Sequence, residues 1–232
     1  DVTQVVRESG GRLRPGVIQM GYNWQDADLT KTLESAWLPE CRKNITEIGA
    51  RFGTHIGVTG PGWPGLKGLP QLTETISRSV TAGFSYLKVF YPPTQVTGDG
   101  RRTAFEIYRE HWAAIRQAAG EGTYLLFCDY EPNRAAVGMV DASRVGPDAE
   151  RGKIRAAISP ALRAYPLHDR WFALDGDTYF TGTDIANISQ IDGSWPLVRT
   201  WLSMTGLSCG TAITSDPWYW EDFKPYWRNV EV

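Results

Sequence analysis

Short apolar runs alternate along the chain with longer stretches in which apolar positions recur at helical spacing. Short runs bounded by glycine, proline and polar residues are typical of buried strands, whereas the longer periodic stretches predict amphipathic helices. The predicted strands are residues 16–22, 54–59, 85–91, 123–127, 137–140, 171–174 and 210–214. The predicted helices are residues 2–9, 38–52, 72–82, 103–119, 154–164 and 196–204. This alternation favours a parallel sheet whose strands are joined by right-handed helical crossovers.

We predict an α/β fold, a (β/α)8 barrel of the TIM type, formed as a single domain by residues 1–232. Because only seven strands are predicted, we expect the first strand to lie before residue 1, in a longer parent chain. A doubly wound open sheet is the alternative, but no GxxxxGKS sequence follows any predicted strand. A barrel that lacks one strand exposes two sheet edges, which favours a homo-oligomer.

Charge and cysteine content exclude several classes of partner. The formal net charge is -2 and the basic residues form no dense cluster, so we expect no nucleic acid partner. No apolar run reaches the ~20 residues of a membrane-spanning helix, so we expect no membrane partner. Cys41, Cys128 and Cys209 are far apart and lack zinc spacing, which favours a reducing, cytoplasmic compartment. Neither a metal nor a cofactor is expected.

The aromatic content points towards carbohydrate. The chain has ten Trp and ten Tyr residues, whose rings combine a flat apolar face with a polar group. The apolar C–H faces of sugar rings stack on such side chains. Most of these rings could equally serve as core residues, but their excess favours a carbohydrate partner.

Polar and aromatic residues gather where the predicted strands end, which is where barrel enzymes carry their chemistry. These candidates are Trp24, Trp63, Lys88, Asp129, Glu131, Arg144, Asp148, Asp177, Asp216 and Trp218. Glycoside cleavage needs two carboxyl groups on either side of one bond, and this set supplies several. Singly, an aspartate such as Asp148 or Asp216 could instead cap a helix or begin a turn.

Several segments support a more specific interpretation. They are residues 17–25 (VIQMGYNWQ), 83–91 (GFSYLKVFY), 138–148 (GMVDASRVGPD), 175–177 (DGD) and 214–216 (TSD). In order and spacing, over roughly residues 10–220, the chain resembles the catalytic barrel of the α-galactosidase-like glycoside hydrolases. This group, clan D, includes melibiase-like and raffinose-synthase-like members. On this resemblance the missing strand is the first strand of the barrel.

The resemblance implies a role for each matched residue. Asp148 would be the general acid and base, and Arg144 would orient either the sugar or that carboxylate. Lys88 would bind sugar hydroxyls and keep the nucleophile ionised. Asp177 and Asp216 would line the site. The tryptophans near the strand ends, expected to bind the substrate as well, are Trp24, Trp63 and Trp218.

Two departures from the family pattern leave the chemistry open. Phe90 stands where the resemblance places the nucleophile, and Gly21 and Tyr22 replace a pair of sugar-binding aspartates. Asp129 or Glu131 could supply the second carboxyl group, as base or nucleophile, in a rearranged site. The barrel could also bind sugar without cleaving it, or carry out another reaction.

We therefore predict a glycoside hydrolase that acts on α-linked sugars by carboxylate acid/base chemistry. The alternative is a catalytically inactive carbohydrate-binding barrel, because phenylalanine cannot attack an anomeric carbon. A barrel enzyme for phosphorylated metabolites is disfavoured, since it would need a glycine-rich loop and a helix N-terminus after the last strands. Residues 208–210 (SCG) are too short a match for such a loop.

Overall fold

The computed structural model describes residues 2–11, 14–20, 29–58, 65–129, 131–147, 154–179 and 195–214. Its helices are α1 (Val2–Glu8), α2 (Thr30–Leu33), α3 (Leu38–Glu47), α4 (Leu69–Thr81), α5 (Ala104–Ala119), α6 (Ile154–Ala164) and α7 (Trp195–Ser208). Its strands are β1 (Val17–Met20), β2 (Arg51–Gly57), β3 (Tyr86–Phe90), β4 (Tyr124–Phe127), β5 (Ala142–Arg144), β6 (Ala173–Tyr179) and β7 (Thr211–Thr214). The chain divides into a larger unit, residues 15–129 and 133–143, and a smaller unit, residues 1–14, 130–132 and 144–232.

The larger unit is built on a parallel sheet. Strands β1 to β4 each pair in parallel with the next strand along the chain, which gives four parallel pairs from β1 to β5. A parallel pair needs a crossover of a dozen or more residues, and the helices α3, α4 and α5 lie in the segments between β1, β2, β3 and β4. The predicted α/β class with parallel strands is therefore confirmed for this unit.

One face of this sheet packs against helices. Phe127 of β4 meets Trp112 of α5 edge to face, with ring centroids 5.0 Å apart. Leu72 and Ile76 of α4 and Leu87 of β3 are fully buried. Each such side chain contributes roughly 1.5–3 kcal/mol through its removal from water, so this layer provides much of the unit's stability.

Helix α5 has the start and end that its sequence predicts. The Thr103 hydroxyl accepts from the Glu106 amide at 3.2 Å, and the Thr103 amide donates to the Glu106 carboxylate at 2.7 Å. This reciprocal pair is a capping box, which satisfies two backbone groups that the first turn leaves open. Gly120, with a φ of 69°, ends the helix. The prediction of a helix at residues 103–119 is confirmed.

Helix α3 ends earlier than its apolar pattern suggests. The Gly49 amide donates to the Thr46 carbonyl, and the Ala50 amide donates to the Ile45 carbonyl. Gly49 has a φ of 78°, so these bonds form the left-handed helix end in which glycine is favoured. Phe52, predicted to be helical, lies instead in β2. Its ring stacks on that of Phe84, with ring centroids 4.2 Å apart.

The predicted strand at residues 137–140 is wrong. The carbonyls of Val137 and Met139 accept from arginine side chains of α5, at 3.0 and 2.8 Å, rather than from a neighbouring strand. Gly138 has a φ of 79°, which an extended strand does not allow. Strand β5 begins only at Ala142, in a short segment that lacks the apolar run typical of a buried strand.

An arginine joins three segments at the amino-terminal edge of the sheet. Arg116 of α5 donates to the Asp141 carboxylate at 2.6 Å and to the Thr123 carbonyl at 2.8 Å. The same Asp141 oxygen accepts from the Leu125 amide at 2.7 Å. Asp141 therefore fixes the start of β5 to the start of β4. It lies opposite the strand ends at which barrel chemistry occurs.

The smaller unit contains α1, α6, α7, β6 and β7. Strands β6 and β7 pair in parallel, with an irregularity in register between Asp175 and Thr178. Strand β6 begins later and extends further than the predicted strand at residues 171–174. Asp175 and Asp177, which the sequence placed after the strand, therefore lie inside it.

The closed eight-stranded barrel and the single domain stay predictions. Within the described ranges there are seven strands, and an α-helix lies between each consecutive pair except β4 and β5. An eighth strand is not among them. Among the helices of the described residues, none is both long enough and apolar enough to cross a membrane.

Candidate functional site

Lys88 is buried on the face of the sheet that points away from the helices. Its neighbour Val89 lies in register with Phe127, whose ring contacts α5. Side chains alternate between the two faces of a strand, so Lys88 points to the opposite face, where His55 is its register partner on β2. Lys88 is only 4% exposed. Lys88 therefore lies within a strand, β3, as the predicted strand at residues 85–91 implies.

Phe90 lies on the same face as Lys88, at the carboxyl end of β3. Its register partner is Gly57, and a β-carbon added to that glycine would lie 3.0 Å from the Phe90 β-carbon. The glycine therefore makes room for the aromatic ring. The position two residues after Lys88 holds an apolar side chain that can neither attack carbon nor accept a proton.

Asp129 follows the end of β4 and is half-buried. Near it, the hydroxyl of the buried Tyr108 donates to the carbonyl of Tyr91, just after β3. Burial, reinforced by the nearby Asp129 carboxylate, raises the pKa of Tyr108 well above its usual range. Tyr108 is therefore a neutral donor across the physiological pH range, and it fixes the backbone where β3 ends.

A second polar contact supports the same segment. The Tyr91 hydroxyl lies 2.7 Å from Nδ1 of His111 on α5. The Tyr91 ring stacks on Tyr108, with centroids 5.6 Å apart. Burial lowers the pKa of His111 and raises the pKa of Tyr91. Both groups therefore favour their neutral forms, and this contact supports the strand end without adding a charge to it.

In the smaller unit, Arg144 and Asp177 form a buried ion pair. The guanidinium NH2 lies 3.2 Å from Oδ2 of Asp177, and the two side chains are 8% and 4% exposed. Arg144 Nε also donates to the Gly146 carbonyl at 3.2 Å. Asp177 has a φ of 64°, a left-handed conformation that aspartate tolerates better than most residues. Two predicted substrate-binding residues are therefore brought together.

Asp175, two residues earlier in β6, is a structural contributor that the site prediction omitted. It is fully buried, and its Oδ1 accepts from the Asp177 amide at 3.0 Å. Its carbonyl accepts from the Val145 amide at 2.9 Å, next to Arg144. The sequence signal was present, because a buried strand that carries two acids around a glycine is uncommon.

The remaining candidates are distributed as follows. Lys88 and Asp129 belong to the larger unit, and Glu131 is exposed in the smaller unit. The predicted residues that lie outside the described ranges are Trp24, Trp63, Asp148, Asp216 and Trp218. In the part of the chain that the structure describes, no group of three or more His, Cys, Asp or Glu residues could hold a metal ion.

Comparison with known proteins gives a likeness of fold. No protein family model matches the sequence. The α-galactosidase I of Mortierella vinacea is 12% identical with a TM-score of 0.63, over 93% of this chain and 62% of that enzyme. An α-galactosidase of Saccharomyces cerevisiae with raffinose is 14% identical with a TM-score of 0.50, over 76% of this chain and 48% of that one. The chain shares the fold of these α-galactosidases.

The likeness extends to a different chemistry. A Burkholderia xenovorans protein described as an L-alanine-DL-glutamate epimerase, bound to magnesium and fumarate, has a TM-score of 0.50 at 11% identity. The match covers 96% of this chain and 53% of that protein. One fold hosts many reactions, so the site residues have to carry the functional argument. The chain spans about three fifths of the Mortierella enzyme, at 62% of its length.

Proposed function

We propose that this chain carries the catalytic barrel of a glycoside hydrolase that acts on α-linked sugars. The observation that carries the proposal is the buried Arg144–Asp177 pair, which lies in the carboxyl-terminal halves of β5 and β6. Burying two charges costs several kcal/mol, so a buried ion pair is weak evidence that the pair stabilises the fold. It is better evidence that the two residues belong to a functional site. The fold of the α-galactosidases supports the same conclusion.

In the proposed reaction, Asp148 donates a proton to the glycosidic oxygen as the bond to the anomeric carbon breaks. Asp129 removes a proton from the water molecule whose oxygen attacks that carbon. We favour Asp129 over Glu131 as the second carboxyl group because Asp129 is half-buried at a strand end, whereas Glu131 is exposed. Lys88 and Arg144 donate hydrogen bonds to sugar hydroxyls, and Asp177 and Asp216 accept them.

A second candidate is a carbohydrate-binding barrel that does not hydrolyse its ligand. The contact between Phe90 and Gly57 favours it, because the strand end beside Lys88 is shaped around an aromatic ring. An aromatic face at this position can stack on a sugar without attacking it. This candidate retains the roles of Lys88 and Arg144 in binding and removes only the bond cleavage.

The test is hydrolysis of a panel of nitrophenyl α-glycosides, with sugar binding measured in parallel by calorimetry. We expect turnover that is lost in Asp148→Asn and Asp129→Asn. Asp169→Asn is the matched control, because Asp169 is exposed and its φ of 57° suits asparagine equally well. Binding without turnover would establish the second candidate. Wild-type protein that neither cleaves nor binds any sugar would refute both.

A further inference from the structure

We infer that Asp175 is a positioning residue, which accepts a hydrogen bond from the Asp177 amide and so holds the Asp177 carboxylate against Arg144. The inference rests on the proposed function, because it explains how one sugar-binding pair is kept in place. Asp175 itself does not contact substrate in this scheme. It acts through the backbone of β6.

The backbone of β6 at Asp177 departs from a regular strand. Asp177 has a φ of 64°, and the register with β7 shifts between Asp175 and Thr178. Such an irregularity removes a residue from the regular ladder of hydrogen bonds. The Asp177 amide is bonded instead to the Asp175 side chain, at 3.0 Å. A buried amide without a partner is costly, so this carboxylate stabilises the left-handed conformation.

Residues 175–177 of β6 are also enclosed by neighbouring parts of the chain. A β-carbon added to Gly176 would lie 2.9 Å from Cγ2 of Thr205 on α7. Helix α7 therefore approaches the backbone between the two acids too closely for another side chain. On the other flank, the Asp175 carbonyl accepts from the Val145 amide at 2.9 Å. The bulge is thus held between α7 and the residue that follows β5, and the Asp175 carboxylate fixes the orientation of the Asp177 amide.

In this arrangement, the side-chain oxygen of Asp175 rather than its negative charge fixes the position of the Asp177 carboxylate. Asparagine at residue 175 retains a side-chain oxygen that can accept from the Asp177 amide. Alanine retains none, so the left-handed conformation loses its support and the Asp177 carboxylate turns away from Arg144. A comparison of Asp175→Asn with Asp175→Ala therefore separates positioning from a general effect of charge.

Hydrogen exchange of the Asp177 amide, followed by NMR, is the first readout. We expect Asp175→Ala to accelerate exchange roughly 10-fold to 100-fold, and Asp175→Asn to restore most of the protection. His168→Ala is the matched control. His168 Nδ1 accepts from the Leu174 amide of the same strand at 3.1 Å, so this variant weakens β6 without touching the Asp177 amide. Equal acceleration of Asp177 exchange in His168→Ala would overturn the inference.

The second readout is sugar affinity by calorimetry, or kcat/KM where turnover is found. We expect Asp175→Ala to lower either value by roughly 10-fold or more, Asp175→Asn to rescue it, and His168→Ala to leave it unchanged. In an Asp177→Asn background, Asp175→Ala should have little further effect, because residues that act through each other are not additive. Fully additive losses, or a failure of Asp175→Asn to rescue, would overturn the inference. If the wild-type protein neither binds nor cleaves sugar while amide exchange responds as expected, the hydrogen bond is confirmed and the proposed function falls.

Discussion

Replacement of Asp141 by alanine should destabilise the larger unit more than its surface position suggests. One carboxylate oxygen accepts from both the Arg116 guanidinium, at 2.6 Å, and the Leu125 amide, at 2.7 Å. A hydrogen bond to a charged group contributes about 1.5–3 kcal/mol, and the Leu125 amide of buried β4 would lose its partner. Because the Asp141 side chain is 40% exposed, screening reduces the ionic part. We therefore expect a loss of about 2–3 kcal/mol.

Urea denaturation followed by tryptophan fluorescence measures this loss. With a slope of about 2–3 kcal/mol per molar urea, the midpoint should fall by about 1 M. Asp141→Asn should recover part of the loss, because its oxygen can still accept from the Leu125 amide. Glu47→Ala is the control, since Glu47 forms an exposed pair with Lys43 at 3.8 Å. A midpoint for Asp141→Ala that equals the control would refute the argument that Asp141 joins β4 to β5.

Three further predictions follow from close contacts and one perturbed pKa. Gly176→Ala should cost about 1–3 kcal/mol in thermal denaturation, because its β-carbon would meet Thr205 at 2.9 Å. Tyr108→Phe removes the bond to the Tyr91 carbonyl and should cost about 1 kcal/mol in urea. Hydrogen bonds from Arg102 lower the pKa of Asp99 from 3.8 to about 2. The ionised Asp99 carboxylate should therefore contribute its full stabilisation above pH ~4 and lose it as the pH falls towards ~2. The difference in free energy of unfolding between wild type and Asp99→Asn should accordingly shrink towards zero near pH ~2.

The sequence predicts those elements in which local chemistry and apolar periodicity agree. Helix α5 is an example, because its capping box, its buried face and the glycine that follows all indicate the same boundaries. Strand β5 is the opposite case. The apolar residues 137–140 have the composition of a strand, yet arginines from α5 bind their carbonyls, and the true strand is shorter and polar. Tertiary hydrogen bonds of this kind leave no local trace in the sequence.

The candidate site also has features that the sequence predicts and features that it does not. Burial of Lys88 follows from its place between two apolar neighbours in a parallel strand, so it could be predicted. The contact of Arg144 with Asp177 could be suggested only through the resemblance, because it joins residues 33 positions apart (177 minus 144). The left-handed backbone of Asp177 lies where the register of β6 and β7 shifts and where α7 approaches Gly176. It became visible only in the folded chain.

The order of the strands in the larger unit has a consequence for protein synthesis. Val17 pairs with Arg51, Gly53 with Tyr86, and Tyr86 with Tyr124, at separations of 34, 33 and 38 residues. Each strand from β2 to β4 thus joins a neighbour that the ribosome has already made, and none of these three pairings waits for a later part of the chain. The nascent polypeptide can extend this sheet one strand at a time, in the direction of translation.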